Sequence, residues 1–239
     1  VSKENGELVY YCFRASCHIA GRISTGRTID DVKAIALGTV DFRGLTRNKD
    51  GIQDCKPAFE IPWYFQSIAT NKDAHEYLRK NNCLGAYYDR ACNIMFDPRL
   101  NRVVFTIRRR LDGVCVDAAG RLLKYAKGQP KWLRYASSDM PFIVGSRDNA
   151  VIVEDCASAC AVYSSGYSGV SLLGTNLKKA FISELKHFKK CFVCLDLDAS
   201  KKSIEMYKAL SPYTDAHIRF IPQDLKYCSP EQIKNIIGE

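Results

Sequence analysis

From residue 148 onward the chain alternates short apolar runs with stretches of helical periodicity. Ala150-Val151-Ile152-Val153, Val170 to Leu173, Cys191-Phe192-Val193-Cys194-Leu195 and His217 to Ile221 read as strands. Helical patterns fall between them, at about Ala157 to Tyr163, Lys178 to Leu185 and Ser200 to Leu210, with a last helix beginning near Pro230. Strands separated by helices at this spacing imply βαβ crossovers and a central parallel sheet. Runs that are apolar at almost every position suit strands covered on both faces, as parallel strands are. Ser211-Pro212 marks the end of one helix and Ser229-Pro230 the start of another, with proline near the first helical position.

Upstream the pattern is mixed. Lys72 to Asn81 carries Ala74, Tyr77 and Leu78 at helical spacing, behind Asn71 as a candidate N-cap. Arg102 to Ile107 reads as a strand, and Asp112-Gly113 as a hairpin turn into Val114-Cys115-Val116. A twisted antiparallel sheet with a few helices is expected there. The sequence thus divides into residues 1–28, short and turn-rich; 29–147, a mixed α+β subdomain; and 148–239, a regular β/α alternation. The expected fold class is α/β, with a carboxy-terminal parallel sheet flanked by helices.

A chain of 239 residues, 46% hydrophobic and 26% charged, is long enough for one large domain or two small ones, each with a core. No apolar run approaches the roughly 20 residues that span a bilayer, and the amino terminus has no signal pattern, so a cytoplasmic location and no membrane partner are expected. Eleven cysteines are an odd number, and Cys115, Cys160, Cys191 and Cys194 lie inside apolar runs, which argues against a secreted disulfide framework.

Charge changes the picture more. Residues 1–149 carry 24 Lys and Arg against 16 Asp and Glu, while residues 150–239 carry 11 against 10. Between Arg99 and Arg134 stand ten basic residues and only Asp112 and Asp117. Tyr125, Trp132 and Tyr135 are interleaved with these cations. Cations that track phosphates and rings that stack on bases are how single-stranded nucleic acid is held, so nucleic acid or nucleotide phosphates are the expected partners.

The acids fall at the ends of the apolar runs. Ala150 to Val153 delivers Glu154 and Asp155, and Cys191 to Leu195 delivers Asp196 and Asp198. Ligands of open α/β sheets bind at the carboxyl ends of the strands. Converging carboxylates repel one another unless a cation joins them, and hard oxygen donors suit Mg2+. A divalent-metal site acting on phosphates is the expectation, with either Glu154 or Asp155 contributed by the first strand.

The order of apolar strand, Glu154, helix, strand, Gly174-Thr175, helix, strand, Asp196-Leu197-Asp198 and helix resembles the Toprim domain of primases, topoisomerases and some nucleases. Upstream, Arg102 to Ile107, Asp112-Gly113, Gly120-Arg121, Lys131-Trp132-Leu133 and Phe142-Ile143-Val144-Gly145 resemble the basic subdomain that precedes Toprim in bacterial and bacteriophage DNA primases. Residues 9–21 resemble the second half of the zinc ribbon at the front of such primases. The likeness is greatest to the phage type, including the primase part of primase-helicases.

That resemblance implies Mg2+ (or Mn2+) held by Glu154, Asp196 and Asp198, with Asp224 as a further acidic position near the site. It also implies a metal-dependent joining of NTPs into primers on single-stranded DNA, in the cytoplasm of a bacterial or phage-infected cell. Gly174 and Thr175 match the loop between the metal-bearing strands. Arg108, Arg109, Arg121, Lys127, Lys131 and Arg134 become candidates for template or triphosphate contacts. Ser200-Lys201 stand in place of the Ala-Gly pair that tightens this turn in the family; Ser200 is expected to cap the turn, and Lys201 and Lys202 either neutralise phosphates or compete with metal for the acids. Cys12 and Cys17 would be two zinc ligands of a ribbon whose other pair is expected upstream of Val1, so secure zinc binding is not expected in this chain.

No catalytic Ser-His-Asp order or Cys-His pairing is legible, and no G-x-x-x-x-G-K-[ST] loop occurs. A replicative helicase is therefore expected as a separate or fused partner. The alternatives within the resemblance are a Toprim nuclease and a non-catalytic nucleic-acid-binding Toprim protein.

Overall fold

A computed structural model of the protein describes residues 2–4, 7–11, 20–24 and 58–238. The chain forms two compact units, Val1–Cys55 and Lys56–Glu239. In the first, β1 (Ser2–Glu4), β2 (Glu7–Tyr11) and β3 (Ala20–Ser24) form an antiparallel meander, with Ser2 opposite Val9 and Tyr11 opposite Ala20. Cys12 and Cys17, the candidate zinc ligands, lie outside the described residues.

The second unit contains two five-stranded sheets. The antiparallel one runs in the order β4 (Gln66–Ser67), β5 (Ile94–Asp97), β6 (Arg102–Arg108), β7 (Cys115–Leu122), β8 (Trp132–Arg134). The β6–β7 hairpin turns at Asp112-Gly113, where Gly113 has φ +69° and the Asp112 carboxylate accepts the Val114 amide at 3.0 Å. Helix α1 (Lys72–Lys80) starts where Asn71 accepts the Ala74 amide at 2.9 Å, and buries Ala74 and Leu78; the short α2 (Leu84–Tyr88) follows.

The other sheet has the order β13 (Asp215–Ile218), β12 (Lys190–Val193), β10 (Asn149–Val153), β11 (Ser168–Ser171), β9 (Phe142–Val144). β13, β12, β10 and β11 are mutually parallel, and β9 closes one edge antiparallel to β11. Helices α3 (Cys156–Ser164), α4 (Lys179–Leu185), α5 (Ser200–Leu210) and α6 (Pro230–Ile237) follow β10, β11, β12 and β13 in turn.

Strand alternation distributes this sheet between two cores. Val151, Val153, Phe192 and Cys194 pack with Ala157 and Cys160 of α3 and Ile233 and Ile237 of α6. Ala150, Ile152, Cys191 and Val193 face Phe181 and Leu185 of α4 and Met206 and Leu210 of α5. The sheet is therefore covered on both faces, which is why its strands read as unbroken apolar runs. α6 opens with the capping box Ser229/Gln232 and Pro230 at its first position, and closes at Gly238 with φ +76°.

Three boundaries differ from the sequence pattern. β11 starts at Ser168, β13 at Asp215 and β12 at Lys190, and each ends two or three residues earlier than its apolar run. Backbone pairing begins at polar or glycine positions that carry no apolar signal, and the last apolar residues of each run line the loops beyond. The division near residue 147 does not separate compact bodies. Phe142 of β9 lies edge-on to Phe105 of β6 at 5.6 Å, and the core that holds Val151 and Phe192 also holds Val103, Phe105 and Ile107.

Candidate metal centre

Glu154 is the first residue beyond β10, and Asp196 stands three residues beyond the end of β12. These strands are neighbours, with Ile152 opposite Val193, so their carboxyl ends meet. A single turn of 3-10 helix, Leu197–Ala199, returns Asp198 to the same side, and the Ala199 amide donates to the Asp196 carbonyl at 2.9 Å. One carboxylate oxygen from each of Glu154, Asp196 and Asp198 lies within 4.8 Å of the others. The Asp196 amide donates to Glu154 Oε1 at 3.2 Å and fixes the spacing of the two loops.

The electrostatics of this group are those of an incomplete charge balance. Burial pushes the Glu154 carboxyl above its ordinary range; the Asp196 amide partly offsets this, and the charges of Asp196, Asp198 and Asp224 add to it. Asp196 is raised in the same sense, by burial first, then by Asp224 and Asp198, with Lys226 opposing. Among the described residues none of the three acids forms an ion pair. Three hard oxygen donors of this kind can bind a divalent cation.

Of the two adjacent acids after β10, the structure brings only Glu154 to the group. Asp155 is the N-cap of α3, accepting the Ser158 amide at 2.9 Å, and its other oxygen binds Lys226 Nζ at 2.7 Å. Asp224 follows β13 and also pairs with Lys226. Lys226 is buried, and burial pulls its pKa down, but Asp155 and Asp224 outweigh this and leave it raised. Sequence reasoning passed over Lys226. Its signal is the spacing Asp224-Leu225-Lys226, which across a tight turn returns two charges to one side of a buried leucine.

Glu154, Asp155, Asp196, Asp224 and Lys226 share a cavity of about 430 Å3 with Gly174 and the segment Lys131 to Arg134. Gly174, at φ +138°, donates its amide to the Glu154 carbonyl at 3.1 Å, a conformation that side chains rarely adopt. Thr175 follows it but does not line the cavity.

The basic candidates separate into those at the cavity and those elsewhere. Lys131 and Arg134 line it. Arg134 is itself held by the buried Asp117, which also accepts the Ala118 and Ala136 amides at 2.7 Å. Arg108 donates to the Gly113 carbonyl at 2.8 Å and Arg109 pairs with Asp112 at 2.8 Å, so both brace the hairpin turn. Arg121 lies over the Trp132 ring at 5.7 Å. Arg102 is fully buried and donates to the carbonyls of Gly120 and Pro130, where it serves as a strut. Lys127 and Lys201 are exposed outside the cavity.

The interleaved rings also divide. Trp132 packs on Phe105 at 6.0 Å, and Tyr135 donates its hydroxyl to Asp97 at 2.6 Å, while Tyr125 is 89% exposed. Lys202 pairs with Glu205 at 3.1 Å, away from the acids. Ser200 is the first residue of α5 instead of its cap; Ala199 holds the cap position with no side-chain hydrogen bond, because the 3-10 turn runs directly into the helix. No protein-family model matches the chain, and no curated protein matches it in sequence. No helix among the described residues is long and apolar enough to cross a membrane.

Proposed function

We propose that the chain is a Toprim-type DNA primase, a metal-dependent nucleotidyltransferase that joins ribonucleotides on a single-stranded DNA template. The observation that carries this reading is the meeting of Glu154, Asp196 and Asp198 at adjoining ends of parallel strands, within reach of one cation. The cavity beside them supports it, because Lys131 and Arg134 line it together with Glu154 and Asp196, cations that can meet phosphates in the same space as the acids.

In this reading Glu154, Asp196 and Asp198 hold Mg2+ or Mn2+, which when bound lowers the pKa of an attacking 3'-hydroxyl and neutralises charge on the departing pyrophosphate. Glu154 is positioned by the Asp196 amide, so the first strand's carboxylate keeps its orientation before any ligand arrives. Lys131 and Arg134 meet the triphosphate, Arg134 with its guanidinium already oriented by Asp117. Gly174 leaves the cavity wall without a side chain on the Glu154 side. Unwinding of the template falls to a replicative helicase, as a separate or fused partner.

Incubation with single-stranded DNA, NTPs and Mg2+ tests the assignment. Oligoribonucleotide product is expected from the parent protein, with a loss of at least 100-fold on Asp196→Ala or Asp198→Ala at unchanged circular dichroism. Undiminished synthesis by either variant refutes it. Strand scission without synthesis would make the chain a Toprim nuclease, and DNA retention without either product a non-catalytic binding protein.

A further inference from the structure

Five carboxylates gather at this end of the parallel sheet, and one lysine divides them. Asp155 and Asp224 come from different elements, the start of α3 and the loop after β13, and the ammonium of Lys226 holds both. Lys226 is only 8% exposed, so its charge is fixed in the wall of the cavity and does not reach it from solvent on a free stem. Among the described residues, Glu154, Asp196 and Asp198, which gather beside this pair, form no ion pair with a lysine or arginine.

Phosphoryl-transfer centres that use two metal ions hold them about 3.5–4 Å apart, as a clamp on the attacking and leaving oxygens. Here the ammonium of Lys226 bridges two carboxylates from separate elements, Asp155 and Asp224, in the wall of the cavity that Glu154 and Asp196 also line. Resting on the metal-site reading above, we infer that Lys226 stands in for a second divalent cation, so that the centre takes one metal ion per chain, at Glu154, Asp196 and Asp198.

The physical reason is local charge. A dication between Asp155 and Asp224 would have to displace an ammonium that is tethered to the backbone two residues from one of its partners, and would then leave that ammonium buried beside it. Like charges at such separation in a partly dry site repel strongly. Phosphate oxygens entering the cavity would therefore meet the ammonium of Lys226 in its wall as well as the metal.

Titration of the full chain with Mn2+, followed by electron paramagnetic resonance of the free ion, reads the stoichiometry directly. One tightly bound Mn2+ per chain is expected for the parent and for Lys226→Arg. Lys226→Met, which keeps the stem and removes the charge, is expected to take two. Asp198→Ala is expected to weaken the parent's single site at least 10-fold. Two ions on the parent, none on the parent, or one on a folded Lys226→Met overturns the inference. The parent count decides even where Lys226→Met fails to fold, since a value of two or zero is already fatal. The outcomes separate from those of primer synthesis: two Mn2+ with active synthesis overturns only the role of Lys226. One Mn2+ rising to two in Lys226→Met, without synthesis, supports that role and overturns only the primase reading.

Discussion

Glu154 and Asp155 are neighbours of the same chemistry that end in different roles. Asp155 has extended geometry at the mouth of α3, where a carboxylate both caps the first turn and complements the positive end of the helix. Glu154, one residue earlier, accepts the Asp196 amide and joins Asp196 and Asp198. Its raised pKa means that the charged form is held against burial and against neighbouring acids. Removing that charge should relieve the metal-free protein. Glu154→Gln keeps the oxygen that accepts the Asp196 amide, and is expected to stabilise the apo protein by on the order of 0.5 kcal/mol, the scale of a partly solvated charge contact. Urea denaturation in chelator measures this; a clear loss of stability would show that the acids do not repel. Lys226 illustrates what residue type alone hides, since a lysine in a turn is ordinarily a solvated charge and only its two partners make it part of the site.

At the scale of elements, α3 decides how closely the helix layer approaches the sheet. Seven of its nine residues are buried, among them Ala157, Ala159, Cys160 and Ala161, so it is apolar all round, as a helix enclosed by other elements must be. Its small side chains permit near contact with β11. A Cβ placed on Gly169 would lie 2.0 Å from the Ala159 carbonyl oxygen. Gly169→Ala is therefore expected to destabilise the protein by about 1–3 kcal/mol or more, because backbone and not a flexible side chain must move. A urea midpoint equal to that of the parent would contradict the close packing of α3 on β11. The helix starts at Asn71 and Ser229 were legible in the sequence, because capping is local chemistry, while Asp155 read as a site carboxylate and only the structure shows it as the cap of α3. The exact strand limits were not, because a residue such as Ser168 pairs through its backbone and shows nothing in its side chain.

At the scale of the whole molecule, covering one sheet on both faces leaves the thiols of its strands without water. Burial pushes Cys191 up to about 11, with Thr214 opposing, and Cys194 up to about 12, with Arg219 opposing, from an ordinary value of 9.0. The folded state thus keeps protons that the unfolded chain gives up above pH 9. Stability from these groups is complete below pH 9 and is lost as pH rises through 11 to 12. The urea midpoint is expected to fall between pH 9 and 10.5 beyond the change between 7.5 and 9. Thiol reagents at pH 8 are expected to label the partly exposed Cys92 before Cys191 and Cys194; equal rates for all three would show an open sheet. The amino-acid sequence by itself determined the strand and helix order from residue 148 onward, the helix starts at Asn71 and Ser229, and the placing of acids at strand ends, since periodicity, capping and turn chemistry act over a few residues. Only the tertiary structure decided that Glu154 and not Asp155 joins Asp196 and Asp198. It also decided that Arg102, Trp132 and Tyr135 serve the core, and that Lys226 reaches two acids of which one stands 71 residues away. Such contacts depend on which strand ends and loops adjoin in space, and a pattern along the chain carries no record of that distance.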